Sequence, residues 1–425
     1  MIKDVQDLLD AGVITQETAT KIQNYYSDKG ELSQNRLFVI FGILGAILVG
    51  LGIILIIAHN WDGLPKAAKV FFAFLPLVLG QVACAYALLR SEDSVAWKEG
   101  AAAVLFFAVG ASISLIAQIY NISGDLSSFL LTWMLLGLPL VYLMRSSVVS
   151  LLYLGGITFY AVVGNYSSYT LDASYLYWLL LLVVLPHYYR LYKETPFSNF
   201  MIFHNWAVPL SLMIALGTLS DENKPLMYVA YFSLYGIFYI LGNSSFFAKQ
   251  RPKNNGYLTI GSLGTLFLLL WSSFDSFWER IRQDQHTLAQ LVCSPEFIAC
   301  VILSLIAGIL LYRQKRGDFF ADFRPIELVF LLFIVTFIIG QWSSAAVILV
   351  NLYLFGIGIY TIKNGAKLNH LGILNFGLLI MMALAVSKFF DSDWTFVVRG
   401  LLFLSVGIGF FVANYRMLKK RKQNA

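Results

Sequence analysis

Long apolar stretches recur along this chain, and no other feature constrains its fold as strongly. A helix rises about 1.5 Å per residue, so crossing about 30 Å of hydrocarbon takes about 20 mostly apolar residues. About fourteen stretches meet that requirement, at 37–58, 70–90, 99–119, 127–144, 147–164, 173–190, 198–218, 226–246, 257–274, 296–313, 325–341, 343–362, 369–388 and 394–416. Polar and turn residues separate them, for example Asn60 to Pro65, Asn121 to Asp125 and Asn165 to Asp172. Of the 425 residues, 58% are hydrophobic and only 13% charged, against about 25% charged in soluble domains. So little charge cannot cover a soluble body of this length. The pattern excludes a soluble enzyme, a disordered chain and a disulfide-stapled secreted domain. The expected fold is an all-α polytopic integral membrane protein whose main partner is the lipid bilayer.

Charge placement orients the helices. With the N-terminus in the cytoplasm, all but seven of the 30 Lys and Arg fall on cytoplasmic segments. The exceptions are Lys66, Lys69, Lys224, Arg280, Arg282, Lys388 and Arg399. This is the asymmetry of the positive-inside rule. Dropping one helix would carry the basic residues Arg416, Lys419, Lys420, Arg421 and Lys422 to the wrong side. An even count with both termini cytoplasmic, in the inner or plasma membrane of the cell, is therefore expected. The net charge of +6 belongs to this bias, and no nucleic-acid partner is implied.

Residues 1–35 read as a separate cytosolic helical hairpin and linker. Leu8, Leu9, Val13, Ile14, Ile22 and Tyr25 form an apolar face, Gly12 divides the two halves, and Thr15 with Thr18 makes a weak cap. Residues 1–30 offer a surface for a cytosolic partner. The first apolar stretch is too long and begins too late for a cleavable signal. Residues 36–145 then hold four membrane helices, and 146–425 about ten more with a basic tail. Three cysteines make no disulfide framework.

Polar residues gather at four helix ends on the outer side. His59, Asn60, Trp61 and Asp62 close the first helix, and Gln118, Tyr120 and Asn121 the third, with Asp125 just beyond. Gln341 and Trp342 close the eleventh. Lys388, Asp391, Asp393 and Trp394 join the last two helices, with Arg399 a turn further on. Ionisable groups at membrane depth are functional candidates. One reading is an outward-facing pocket in which Lys388 and Arg399 bind an anion while Asp62 or His59 handles protons. The plainer reading is that each motif caps a helix or anchors it at the interface.

Other features read first as packing. Gly42, Ala46 and Gly50 in the first helix, and Gly110 and Ser114 in the third, allow close helix approach. Pro76, Pro139, Pro186 and Pro209 lie in apolar stretches and kink helices wherever they fall. His204 and Asn205 stand out, because they lie inside the seventh helix with no end to cap. The segment 274–296 is amphipathic and suits either an interfacial helix or a solvated loop. No Gly-Lys-Ser/Thr phosphate loop and no zinc-type Cys/His spacing is present, so no cofactor is expected.

Three signatures carry a family resemblance: the hairpin Leu8, Leu9, Ala11, Gly12, Val13, Ile14, Gln16, Glu17; the ending Ile56 to Asp62; and Ala117 to Asn121 with Gly124, Asp125 and Trp133. Over about residues 1–145 the chain resembles the bacterial membrane proteins grouped as domain of unknown function 2157. It departs at His59, where a small residue is expected. The resemblance implies membrane class and no activity.

Three functions remain compatible with these residues. The leading one is a secondary carrier or flippase for an anionic or lipid-linked substrate, with a polar pocket opening outward. The second is a membrane-embedded transferase acting on a polyprenyl-phosphate-linked substrate, with Asp62 as base. The third is a sensor or scaffold that signals through the N-terminal hairpin.

Overall fold

The structure is a computed structural model. It describes residues 5, 9, 11–22, 61–91, 94–168, 172–220, 225–248, 252–283, 294–315 and 324–389, and 395–397, 400–401, 403–405, 407–409, 411–412 and 415. Every regular element among them is helical: α1 (Lys66–Arg90), α2 (Val95–Tyr120), α3 (Leu126–Leu143), α4 (Ser147–Ser168), α5 (Asp172–Glu194), α6 (Asn199–Gly217), α7 (Leu226–Gly242), α8 (Gly256–Trp271), α9 (Asp275–Gln283), α10 (Pro295–Gln314), α11 (Val329–Gly340), α12 (Ala345–Lys367) and α13 (Leu371–Phe389), with short helical turns between some of them. The helices start where short polar side chains can satisfy free N–H groups. Asp125, Ser198, Asn255 and Ser294 cap α3, α6, α8 and α10 by accepting from Ser128, Met201, Leu258 and Phe297.

Eight helices among the described residues are long and apolar enough to cross a membrane, or nine if α8 and α9 form one bent span. The helix Leu226–Gly242 and the segment Pro325–Gly340 are shorter. The expected first span lies outside the described residues, and the last is described only in part. Large apolar side chains such as Leu79, Leu89, Ile302, Leu305 and Phe267 point outward and stay exposed. A surface of that kind suits lipid and not water.

The chain divides into two compact units: residues 1–75 with Gln118–Tyr120, and the remainder. In the first unit Gly12 turns the chain at φ +66°. Thr15 Oγ1 then accepts from Thr18 N–H as a helix begins. Trp61 lies under Lys69, with Nζ 5.8 Å from the ring centroid.

The second unit is built around α7, which is buried along most of its length and packs on α8, α10 and α11. Small residues set the spacing. A Cβ on Gly261 of α8 would lie 2.6 Å from the Tyr239 nitrogen of α7, so the two backbones touch. Gly110 gives a different result from the small-residue reading of the third helix. A Cβ there would lie 2.5 Å from the Trp133 indole of α3, so this glycine makes room for a tryptophan. Gly42, Ala46 and Gly50 lie outside the described residues.

Candidate functional site at a broken helix

Helix α8 stops at Trp271 and α9 sets off from Asp275 at 79° to it. Such a corner exposes the last carbonyls of α8, which no intrahelical N–H can reach. Three neighbours satisfy them. Trp278 Nε1 donates to the Ser272 carbonyl at 2.8 Å. Lys388 Nζ donates to the Ser273 carbonyl at 2.8 Å, and Asn351 Nδ2 to the same oxygen at 3.3 Å. A cation at a helix C-terminus also meets the negative end of the helix dipole. The Lys388 ammonium further lies 5.5 Å from the Phe274 ring centroid, a favourable cation–π placement.

Trp278 is fully buried because α11 ends in a glycine. A Cβ on Gly340 would lie 2.1 Å from the Trp278 ring. Helix α9 shows why 274–296 looked amphipathic. Phe277, Trp278 and Ile281 face inward, while Glu279 and Arg280 are exposed. Beside the corner lies a cavity of about 480 Å³, whose walls include Tyr228, Trp271, Phe274, Phe277, Arg280 and Gln283. Arg280 is the cation among the cavity's lining residues; its neighbour Arg282 pairs with Asp275 at 3.4 Å.

The expected site residues separate into groups. Lys388 is at the corner. Gln341 follows Gly340, the glycine packed on Trp278; it is half-buried, and Trp342 is exposed. Trp61, Asp62, Gln118 and Tyr120 belong to the first unit, and Asp62, Gln118 and Tyr120 are exposed there. Asn121 and Asp125 belong to the second unit and have local structural work. Asn121 sits at φ 52° where Ile122 N–H reaches back to the Ala117 carbonyl, a left-handed helix ending that asparagine tolerates. Asp125 caps α3, and the Ser128 hydrogen bonds hold its carboxyl below its ordinary value of 3.8. His59, Asn60, Asp391 and Arg399 lie outside the described residues.

A second polar cluster lies at the opposite helix ends, where α2, α4 and α6 begin and α5 finishes. Glu99 of α2 accepts from the Ser147 and Val148 N–H groups at 2.9 Å each, and from the Ser146 hydroxyl. The carboxylate thus caps the start of α4 from a different helix. Ser147 Oγ lies 3.5 Å from His187 Nε2, and Ser150 Oγ 2.9 Å from His204 Nε2. His204 Nδ1 donates to the Phe200 carbonyl at 2.8 Å. Tyr188 stacks on His204 and donates to Asn205 Oδ1 at 2.8 Å. Sequence singled out His204 and Asn205 by their place in mid-helix. It missed Glu99, since a glutamate near a helix start looks like an ordinary interfacial residue.

Among the described residues no three His, Cys, Asp or Glu side chains are grouped to hold a metal ion. Neither the curated proteins nor the solved structures contain a match to this chain. Its helices, its apolar exterior and its N-terminal signatures agree with one finding: residues 6–150 match the family described as "Predicted membrane protein (DUF2157)".

Proposed function

We propose that this membrane protein is a secondary carrier or flippase for an anionic, lipid-linked substrate. In this reading about fourteen helices span the cell membrane with both termini cytoplasmic, and the substrate site lies at their outer ends. The observation that carries it is the broken helix α8–α9 beside its cavity. Backbone groups freed by a break near the membrane surface must be buried by protein or line a cavity, and discontinuous helices are a recurring part of carrier sites. A volume of 480 Å³ falls within the range of about 300–1,000 Å³ seen for small-molecule sites. Arg280 supplies a planar fork suited to phosphate, and Trp271, Phe274 and Tyr228 supply faces for a hydrocarbon chain. Lys388 positions the corner. Gln341 follows the glycine packed on Trp278 and adds an amide near the corner.

Proteoliposomes with a trace of fluorescent phosphatidylglycerol test the proposal. Dithionite bleaches only the outer leaflet, so a protein that moves anionic lipid extends bleaching to the inner-leaflet probe. We expect this with the wild type and its loss with Arg280→Ala. Bleaching equal to that of protein-free vesicles refutes the carrier reading.

A further inference from the structure

The outer corner leaves the opposite polar cluster without a role. His187 and His204 are almost fully buried, at 2% and 1% exposure, and Asn205 is at 0%. A cluster serving only as interhelical glue would have its hydrogen bonds complete. This one does not: the buried His187 Nδ1 and Asn205 Nδ2 have no hydrogen-bond partner. The incompleteness falls on a ring nitrogen able to take a proton.

We propose that His187 and His204 form a proton-binding site that holds one proton between them, with Glu99 as counter-charge, and that this proton is the coupled ion of the carrier. The coupling rests on the carrier reading above; the proton binding does not. The Phe200 carbonyl accepts only, so it keeps the hydrogen of neutral His204 on Nδ1 and leaves the Nε2 lone pair towards Ser150. On His187 the proton leaves a hydronium ion, whose O–H bond breaks to release water, and forms an N–H bond at whichever ring nitrogen carries the lone pair.

The surrounding charges oppose a second proton more strongly than a first. Glu99 is the acidic neighbour of His204, and His204 and Arg190 are the charged neighbours of His187. Arg190 is itself paired with Glu194 at 3.2 Å. Tyr188 presents its ring face to His204 at 5.9 Å, which suits an imidazolium, and its hydroxyl meets Tyr257 of α8 at 3.3 Å. From α4 only serine hydroxyls face the pair, and Arg145 in the preceding turn is exposed. The two imidazole centroids are 6.1 Å apart. Like charges at that separation, at an effective dielectric constant of about 20, weaken uptake of a second proton about a hundredfold. Chains of Glu and His within a membrane are the usual parts of proton relays.

The test is a titration of the imidazole NMR signals of histidine-labelled full-length protein in nanodiscs, from about pH 8 to about pH 4, a range that brackets the ordinary histidine value of about 6.5. We expect one proton to enter the pair, His204→Gln to strengthen proton uptake at His187, and Glu99→Gln to weaken uptake by the pair about tenfold. The reciprocal His187→Gln reads the same coupling at His204, should one variant not fold. Two rings that titrate independently, or that both stay neutral throughout, overturn the site. The dithionite assay then tests coupling. Lipid movement should respond to a transmembrane pH difference in the wild type and not in His187→Gln. A pH response that survives in the variant overturns the coupling while the titration still decides binding.

Discussion

Gly340→Ala concentrates the physics of the broken helix in one methyl group. The new Cβ would lie 2.1 Å from two carbons of the Trp278 ring, where carbon–carbon contacts are normally about 3.5–4.0 Å apart. The ring must therefore retreat by roughly 1.5 Å. It has no free space to enter, since Trp278 is at 0% exposure. Retreat also breaks the 2.8 Å hydrogen bond to the Ser272 carbonyl. Overpacking costs about 1–3 kcal/mol and an unmade buried hydrogen bond about 1–3 kcal/mol more, so roughly 3 kcal/mol is expected. The control is Gly356→Ala in α12, where a Cβ meets nothing within 4 Å and the gain in helix preference is about 0.5–1 kcal/mol. Thermal unfolding of both variants in one detergent should separate them by about 4 °C. Adding Trp278→Phe to Gly340→Ala should recover part of the packing loss but not the hydrogen bond. Equal melting temperatures for the two single variants would show that α11 does not hold the corner closed through Trp278.

Two further outcomes follow from local geometry. Asn121→Gly should preserve stability, because glycine adopts φ 52° freely, whereas Asn121→Ala should cost about 1 kcal/mol; measured lipid movement that survives Asn121→Gly assigns the residue to the turn and not to the substrate. The Asp125 carboxyl is held below its ordinary value by its bonds to Ser128. Its stabilising effect is therefore full above the unfolded value of about 3.9 and fades as pH falls through the lower folded value. Unfolding curves of the wild type and Asp125→Ala should converge in that acidic range, and a stability gap that persists below it contradicts the capping role.

Several elements of this architecture are legible in the residue order. The helix boundaries at Asp125, Ser198 and Ser294 follow from capping residues placed before apolar runs. Membrane class follows from apolar length, a property each segment carries alone. An end near 274 and an amphipathic segment after it are legible, but the way the corner is closed is not. The 79° corner becomes tolerable only because the nearby Trp278, and Lys388 and Asn351 far away in sequence, cover its carbonyls. Lys388 therefore looked like a loop cation when it is a buried donor.

Hydrophobic length acts through the solvent and needs no partner, so order alone determines that this chain enters a membrane. Hydrogen-bond satisfaction in a medium without water needs a second element at about 2.8 Å, and which helix supplies it depends on packing. Only the tertiary structure could decide that Glu99 caps α4, that Lys388 closes the corner after α8, and that two histidines seventeen residues apart lie with ring centroids 6.1 Å from each other.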